Sequence, residues 1–357
     1  MKLLILSQYF WPESFPINNL SKKLHEQGHQ VTVITGKPNY PEGDIYSGYS
    51  VNGVQFEDFH GIEVIRIPLR PRKTGALGLM ANYMSFVVSG IWYMPRLLEN
   101  KQFDAILVYA ISPITAVIPA IWVKRKLGAH LVVWVQDLWP ESLAGTGYVK
   151  HRWPLAVVDV LVGWIYKRSD TLLAQSHSFV KQLENYESKD KIVYYPNSIE
   201  PPVLLEDKAP DINLSYFDQG FSVVFAGNIG SVQAIPTLIE AASILSQQCD
   251  DCRLLLVGNG SMLTWAKEEV ARLGLTNVYF LGRLDGKYMP WVYQQADALL
   301  VSLSDSDIFS YTIPSKLQSY LSAGKPIIAS LNGEAADIIR DSQAGLVAAA
   351  EDPEALT

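Results

Sequence analysis

Cysteine is nearly absent from this chain of 357 residues, which contains two, Cys249 and Cys252. Two thiols cannot build a disulfide framework, so a reducing compartment such as the cytoplasm is expected. Their C-x-x-C spacing supplies too few ligands for zinc, which needs four. A redox pair normally lies at a helix N-terminus, whereas this pair lies between a predicted helix end and a predicted strand. We interpret the two residues as half-buried thiols.

Long hydrophobic runs are also missing. The apolar run at residues 1–6 is too short for a signal peptide and has no small-residue cleavage site, so it predicts a first strand. The uncharged stretch 105–123 divides into a strand and a helix opened by Ser112-Pro113. That division is typical of a buried βα unit and excludes a membrane span there.

Charged residues are sparse, at 18%, against 48% hydrophobic residues, which indicates a globular protein with large buried sheets. Residues 1–200 carry 20 Lys and Arg against 17 Asp and Glu, a net of +3, while residues 201–357 carry 9 against 19, a net of −10; the two sum to −7. The basic first half suggests that this half meets an anionic surface. We expect no nucleic-acid partner.

Short runs rich in Val, Ile and Leu alternate with helix-length segments, which predicts an α/β fold with parallel, doubly wound sheets. The predicted strands are 2–7, 30–35, 63–67, 105–109, 130–135, 171–174, 192–195, 222–226, 253–257, 278–281, 298–302, 326–329 and 345–348.

The pattern lapses at residues 196–219, where prolines and acidic residues predict a linker. We therefore expect two Rossmann-like domains, 1–200 and 201–357, with strand-end crevices facing each other across a cleft. The chain stops just after Asp352-Pro353-Glu354, a pattern typical of a helix start, so we expect the second domain to lack its last helices.

Residues 312–329, TIPSKLQSYLSAGKPIIA, carry the most informative pattern in the chain. Thr312 and Ser315 are cap-type residues, Pro314 suits a first helical turn, and a glycine followed by a proline ends the helix before a buried strand. A helix start with hydroxyls, free N–H groups and the cation Lys316 predicts a binding site for phosphate oxygens. An ordinary capped helix with a surface lysine is the alternative interpretation.

Three further strand-to-helix turns share this chemistry, at AGNIG (226–230), VGNG (257–260) and LGRL (281–284). Their glycines allow backbone N–H groups to approach a ligand closely. Leu263 replaces the third glycine of G-x-G-x-x-G, which disfavours a dinucleotide. Turns at successive strand ends converge on one crevice, and together they favour a nucleotide diphosphate.

In this order the motifs resemble the donor-binding domain of family 4 retaining glycosyltransferases of GT-B fold. The first half agrees through SQYFWPES (7–14), HEQGHQVTVIT (25–35) and VQDLWPES (135–142). The resemblance covers nearly the whole chain and is greatest to bacterial O-antigen and colanic-acid N-acetylfucosamine (L-fucosamine) transferases. It implies a UDP-sugar donor carrying an N-acetyl-6-deoxyhexose, and a lipid-linked (undecaprenyl diphosphate) saccharide acceptor.

The resemblance also implies roles for individual residues. The catalytic candidates are Asp137 beside the sugar, Lys316 at the leaving phosphate and Glu13 in the loop that closes over the donor. The expected donor-binding residues are Gly227, Asn228, Gly230, Gln233, Asn259, Gly260, Arg283, Leu284, Pro314, Ser315 and Lys316.

The sequence departs from the family pattern in the cations and acids of the donor site. Asn228 and Gln233 stand where many members carry Arg and Lys, which leaves Lys316 as the main cation. Tyr311 and Ser319 occupy the places of the family's paired glutamates. We see no D-x-D pair at a strand end, the nearest match being Asp305-x-Asp307, and expect neither a metal nor another cofactor.

The sequence Trp-Pro-Glu-Ser occurs twice, at 11–14 and 139–142. Its carboxylates could accept hydrogen bonds from sugar hydroxyls, and its tryptophans could stack on a sugar or base. Alternatively, both copies are helix starts with an acid favourable to the helix dipole.

The region from Arg66 to Arg96 combines a basic cluster, which includes Arg70, Arg72 and Lys73, with an uncharged aromatic helix. This combination predicts a membrane contact, to which residues 153–166 could add; a core helix is the alternative. We therefore expect a cytoplasmic protein, peripheral on the inner face of the cytoplasmic membrane. The competing functions are a nucleotide-sugar epimerase of GT-B fold and a two-domain ligand-binding protein.

Overall fold

The computed structural model describes residues 1–73, 75–145, 152–199, 215–218 and 220–357. The chain forms two compact units, Met1–Asn197 and Ser198–Thr357. The predicted domain boundary at 200/201, and most of the predicted linker at 196–219, lie outside the described residues.

The first unit is built on a sheet that has, within the described residues, eight strands in the order β3-β4-β2-β1-β5-β6-β7-β8. All its neighbours are parallel except β3 and β4. The strands are β1 (Lys2–Ser7), β2 (Gln30–Thr35), β3 (Gln55–Phe59), β4 (Ile62–Arg66), β5 (Ala105–Ala110), β6 (His130–Val135), β7 (Thr171–Ala174) and β8 (Ile192–Tyr194). The helices are α1 (Pro16–Glu26), α2 (Ala76–Leu97), α3 (Ile118–Leu127), α4 (Glu141–Gly145), α5 (Arg152–Arg168) and α6 (His177–Leu183).

The second unit has a parallel sheet with, in its described part, six strands in the order β11-β10-β9-β12-β13-β14. The strands are β9 (Phe221–Ala226), β10 (Cys252–Val257), β11 (Val278–Gly282), β12 (Ala298–Ser302), β13 (Ile327–Ser330) and β14 (Gly345–Ala348). The helices are α7 (Ser215–Asp218), α8 (Ile235–Gln248), α9 (Leu263–Leu273), α10 (Met289–Gln295), α11 (Asp307–Tyr311), α12 (Ser315–Ala323), α13 (Glu334–Asp341) and α14 (Pro353–Leu356).

The central strands of the second sheet are buried on both faces, which explains their near-continuous apolar runs. In the second sheet, alternate side chains enter two separate hydrophobic clusters: Val224 packs in one cluster and Phe225 in the other. The α/β, doubly wound architecture expected from the sequence is confirmed.

Strand β3 is the one described strand that the sequence pattern did not predict. Its sequence, QFEDF, alternates polar and apolar residues, and Phe56 is 63% exposed. It pairs antiparallel with β4 at the sheet edge, through a tight turn in which His60 has φ 53° and Gly61 φ 85°. An edge strand needs no continuous apolar run, because neighbours do not cover both of its faces.

Each strand order contains a point where the winding reverses, between β1 and β5 in the first unit and between β9 and β12 in the second. Ligands of doubly wound sheets bind outside the carboxyl ends of the strands at such a point. The fold therefore directs attention to the loops that follow these four strands.

Candidate functional site

In the second unit, backbone hydrogen bonds join the turns that follow β9, β10 and β11. The N–H of Gly227 donates to Val257 O at 2.8 Å, and the N–H of Ile229 donates to Asn259 O at 2.9 Å. The N–H of Gly258 in turn donates to Gly282 O at 2.8 Å. Three of the four turns that were predicted to converge therefore meet at one edge of the sheet in this unit.

Glycine is required where these turns touch. Gly227 and Gly258 have φ of 138° and 147°, in the region that side chains disfavour. A Cβ on Gly258 would lie 1.8 Å from Gly227 O, and one on Gly260 would lie 2.3 Å from Ile229 O. The backbones are too close for any side chain, so the turns form one continuous polar surface.

The side chains on this surface are amides. Asn228 donates through Nδ2 to Gln233 Oε1 at 3.1 Å, beside Gly230. The carbonyl of Gln233 accepts a hydrogen bond from Ser302 Oγ at 2.7 Å, which links this loop to the end of β12. Asn259, which is exposed, bonds through Oδ1 to the N–H of Gly260 at 2.8 Å.

Lys316 lies in the first turn of α12, which follows β12, and its side chain extends to this surface beside β9. Its Nζ lies 3.7 Å from the centroid of the Phe225 ring and would lie 3.3 Å from a Cβ placed on Gly227. The Nζ atom is buried, and no hydrogen-bond partner for it exists among the described residues. Burial lowers the pKa of Lys316 to about 7, because the charged form has lost its water without gaining an anion.

Tyr320 holds α12 in this position, a role that we did not predict from the sequence. Its hydroxyl accepts a hydrogen bond from the N–H of Ala226 at 3.0 Å and lies 3.3 Å from Ala226 O. Residues four apart lie on one face of a helix, so Tyr320 follows Lys316 on the face that meets β9. That spacing was the available sequence signal.

The start of α12 differs from the sequence expectation in the roles of Thr312, Pro314 and Ser315. Pro314 occupies the N-cap position, and no side chain caps the helix. Thr312 donates instead through Oγ1 to Ile308 O at 2.9 Å, in the preceding helix, so the prediction that it caps α12 was wrong. Ser315 is exposed at the first helical position, and its N–H remains available to a ligand.

Arg283 and Leu284 follow β11 at the same edge of the sheet. Gly282, directly before them, is the residue whose carbonyl accepts from Gly258. Arg283 is exposed, whereas the side chain of Leu284 packs against the core of the unit. Asp305, in the loop after β12, accepts a hydrogen bond from Asn332 Nδ2 at 3.0 Å.

In the first unit, Asp137 lies just after β6 and next to the loop that follows β5. Its Oδ2 accepts from the N–H of Ser112 at 2.7 Å and from Ser112 Oγ at 2.8 Å. Trp139 Nε1 donates to the same hydroxyl at 3.2 Å. Burial raises the pKa of Asp137, and the two hydrogen bonds from Ser112 oppose that rise.

Glu13 lies in the loop after β1 and is 3% exposed. Its Oε1 accepts from the N–H groups of Asn39 and Tyr40, both at 2.7 Å, and its Oε2 accepts from the N–H of Phe10 at 3.2 Å. The carboxylate thus ties the loops after β1 and β2 together. Its role toward a substrate stays a prediction.

Two helices of the first unit carry apolar side chains on their outer surfaces. We call these exposed residues the apolar face: Leu77, Met80, Met84, Val88 and Trp92 on α2, and Trp153, Val157, Val160 and Trp164 on α5. Helix α3 packs against both helices. The guanidinium of Arg96 lies 4.7 Å from the ring centroid of Trp92.

Arg66, which we expected in the membrane-facing region, does not belong to it. The residue is fully buried, and its Nε donates to Glu57 at 2.6 Å. Arg70 and Lys73 are exposed, whereas Phe86 and Val87 of α2 are buried in the core. In the described part of the chain, no helix has the length and hydrophobicity needed to cross a bilayer.

Comparison with known proteins shows the family. A model described as "Glycosyl transferase 4-like domain" matches residues 17–198, more than half of the chain, and one described as "Glycosyl transferases group 1" matches residues 220–357. The chain therefore belongs to the glycosyltransferases and is a transferase enzyme.

Named relatives agree with this assignment. The chain is 25% identical over 341 residues to the "Putative colanic acid biosynthesis glycosyl transferase WcaI" of Escherichia coli K12, which covers 91% of this chain and 82% of WcaI. It is 22% identical over 286 residues to the "Probable glycosyltransferase WbjE" of Pseudomonas aeruginosa, covering 78% and 70%. The crystal structure of Anabaena HepE in complex with UDP matches with a TM-score of 0.64 at 16% identity, covering 100% of this chain and 88% of HepE. The fold is GT-B.

Proposed function

We propose that this glycosyltransferase moves a sugar from a nucleotide diphosphate donor, with UDP as the nucleotide, to a lipid-linked saccharide. The product serves a surface polysaccharide of the O-antigen, capsule or colanic-acid type. We further propose that the transferred sugar is an N-acetyl-6-deoxyhexose such as N-acetylfucosamine, that its anomeric configuration is retained, and that no metal takes part. The name of WcaI and the UDP bound to HepE support this proposal.

One observation carries the donor assignment: the ammonium of Lys316 is buried beside the glycine turns and has no hydrogen-bond partner among the residues that the structure describes. A buried charge without a counter-ion is costly, and proteins keep such groups mainly where a ligand supplies the missing charge. The diphosphate of a nucleotide sugar has the required charge. The N–H groups at the start of α12 add donors for its oxygens.

The chemistry follows from where charge develops. When the anomeric C–O bond breaks, negative charge accumulates on the leaving β-phosphate and positive charge on the sugar ring. Lys316 stabilises the leaving phosphate, and removal of one such oriented donor costs roughly 3–4 kcal/mol in a transition state. The leaving phosphate accepts the proton of the acceptor hydroxyl, and Asp137 contacts the sugar.

Donor specificity is tested by incubating the protein with UDP- and GDP-sugars and a lipid-linked acceptor. Transfer is identified by an extended glycolipid. An isomerised donor without transfer would instead support an epimerase, and binding without turnover a ligand-binding protein. Lys316→Ala should lower turnover at least about a hundredfold; near-normal turnover would remove the leaving-group role.

Membrane contact of the first unit is the second part of the proposal. Tryptophans and arginines around an exposed apolar surface are typical of proteins that lie in the membrane interface. The apolar face meets this description, and Arg70 and Lys73 precede α2. We therefore propose that the enzyme works as a peripheral protein on the inner face of the cytoplasmic membrane, where its acceptor is presented.

A further inference from the structure

A groove between helices α3 and α5 lies on the first unit, away from Asp137. It has a volume of about 630 Å³, and we name it the α3–α5 groove. Asp170, which lines the groove, directly precedes β7, whereas Asp137 is the second residue after the end of β6. Because β6 and β7 run parallel, the two residues lie at opposite edges of the sheet, roughly 20 Å apart for a strand of this length.

The lining of the α3–α5 groove is basic. Its described residues include Lys124, Arg125, Lys167 and Arg168 and one carboxylate, that of Asp170, a net of four minus one, or +3. Lys124 Nζ bonds to Asp170 Oδ1 at 2.8 Å and to Arg168 O at 2.7 Å. That ion pair neutralises itself, so the net positive charge belongs to Arg125, Lys167 and Arg168, all of which are exposed.

Two tryptophans also line the α3–α5 groove. Trp122 of α3 is 64% exposed and Trp164 of α5 is 37% exposed. The guanidinium of Arg168 lies 4.2 Å from the ring centroid of Trp164, which holds the cation at the aromatic surface. Trp164 also belongs to the apolar face, so the groove continues directly into that surface.

We propose that the α3–α5 groove binds the phosphate head group of one anionic phospholipid, whose acyl chains follow the apolar face. The inference rests on the proposed membrane contact of the first unit and is independent of the donor chemistry in the second. Guanidinium groups of Arg125 and Arg168 suit bidentate binding of phosphate oxygens, and Lys167 adds a third cation. A zwitterionic lipid would lack the charge complement.

The test uses the full chain and vesicles of phosphatidylcholine, with and without phosphatidylglycerol. The groove variant is Arg125→Gln with Lys167→Gln. The matched control is Arg340→Gln with Lys22→Gln, which removes the same two cation types from exposed i,i+3 and i,i+4 surface pairs elsewhere. Cosedimentation gives vesicle affinity, and UDP titration of the same samples reports whether the second unit is intact.

We expect the wild type to prefer vesicles that contain phosphatidylglycerol. The groove variant should bind these vesicles roughly tenfold or more weakly, because it lacks two cations that contact the anionic surface. The control pair should bind as the wild type does, and UDP affinity should stay unchanged in both. Equal loss in both variants would overturn the site in favour of general electrostatic attraction, and so would equal wild-type binding to both vesicle types.

Free phosphate is the other possible source of the same chemistry. Soluble glycerol 3-phosphate should not displace the protein from phosphatidylglycerol vesicles; displacement at concentrations near its physiological level would make this a free-phosphate site and contradict the proposal. If sugar transfer fails for every donor while lipid preference and the groove-variant loss persist, the donor proposal fails and the groove proposal stands.

Discussion

Lys316 is the residue on which the donor assignment depends. Its ammonium is desolvated over the Phe225 ring, and burial lowers its pKa from 10.5 to about 7. In the ligand-free protein near neutral pH, the group therefore exchanges between charged and neutral forms. An anion bound beside it would favour the charged form, so donor binding and proton uptake are linked.

Replacement of this residue should separate stability from binding. Below pH 7 the folded protein holds a buried charge that the unfolded chain exposes to water, so Lys316→Met should stabilise the ligand-free protein by at least about 1 kcal/mol at pH 6. Between pH 7 and 10.5 the unfolded chain binds the extra proton, so wild-type stability rises with pH and the advantage of the variant shrinks. Thermal unfolding at pH 6 and pH 9 measures both effects.

The control for this experiment is Lys287→Met, because the Lys287 side chain is 54% exposed and its ion pair with Asp285 is weak. Its stability should change little with pH, and it should bind UDP as the wild type does. A Lys316→Met protein that is less stable than the wild type at pH 6 would show that the ammonium has a partner.

Asp137 should behave differently from Lys316. Its carboxylate sits in the first unit and accepts two hydrogen bonds from Ser112. We expect Asp137→Asn to lower turnover by roughly tenfold to a hundredfold, which is about the effect of losing one polar contact in a transition state. The affinity for UDP should stay within twofold of the wild type. Ser112→Ala keeps the N–H donor and should have the smaller effect. Parallel loss of UDP affinity and turnover would contradict a role at the sugar.

At the scale of elements, the site depends on three turns whose backbones touch. Gly258 is the tightest contact, with φ of 147° and no room for a Cβ beside Gly227 O. Gly274, which ends α9, has φ of 66° and open space around it. The two glycines therefore differ in packing, although both adopt conformations that disfavour side chains.

This difference gives a matched pair of variants. Gly258→Ala should destabilise the protein by more than about 3 kcal/mol and weaken UDP binding, because it adds a backbone clash to the conformational cost. Gly274→Ala should cost about 1 kcal/mol from conformation alone and leave UDP affinity unchanged. Urea unfolding and UDP titration measure the two effects. Equal destabilisation in both variants would contradict the close contact between the turns.

Strands and helices were predictable from the sequence where burial determines which residues are apolar. All described strands except β3 were predicted to within two residues at each end, because central parallel strands are apolar throughout. The helix α12 and its end before Gly324 were also predicted, although Pro314, expected in the first turn, lies at the N-cap. Strand β3 was not predicted, because an edge strand that carries charged residues has the sequence pattern of a loop. The capping role of Thr312 was wrong because the short helix α11, just before it, offered its own carbonyl at Ile308.

The site residues show a similar division. Glycines and Lys316 could be proposed from the sequence because their chemistry is visible there, and the structure brings Lys316 next to Gly227. The hydroxyl of Tyr320 on Ala226, and the three N–H groups on Glu13, depend on residues up to 94 positions apart, and no local pattern reveals such partners. Arg66 looked like a surface cation for the same reason: its partner Glu57 lies on the unpredicted strand.

At the scale of the whole molecule, the two halves carry opposite charge. Residues 201–357 have a net of 9 minus 19, or −10, although the proposed donor is an anion. Long-range attraction cannot bring the donor to this unit at physiological salt, where charges are screened beyond about 8 Å. Local groups, above all Lys316 and the helix start, must supply the binding energy. The basic first half suits the proposed contact with an anionic membrane instead.

Membrane binding and donor binding should therefore respond to different variants. Val88→Asp places a charge in the apolar face, at a side chain that is 62% exposed, and should reduce vesicle binding at least tenfold while UDP affinity stays constant. Val193→Asp, at a valine that is 46% exposed on β8, is the control and should change neither. Vesicle binding unaffected by Val88→Asp would remove α2 from the proposed contact.

The most direct measurement is proton uptake during calorimetric titration of UDP at pH 8, in buffers of different ionisation enthalpy. If the Lys316 ammonium meets the bound diphosphate, the wild type takes up close to one proton per UDP, because a group with a pKa of about 7 is largely neutral beforehand. Lys316→Met should take up none and bind UDP at least about tenfold more weakly. Equal UDP affinity and equal proton uptake in the two proteins would contradict the account.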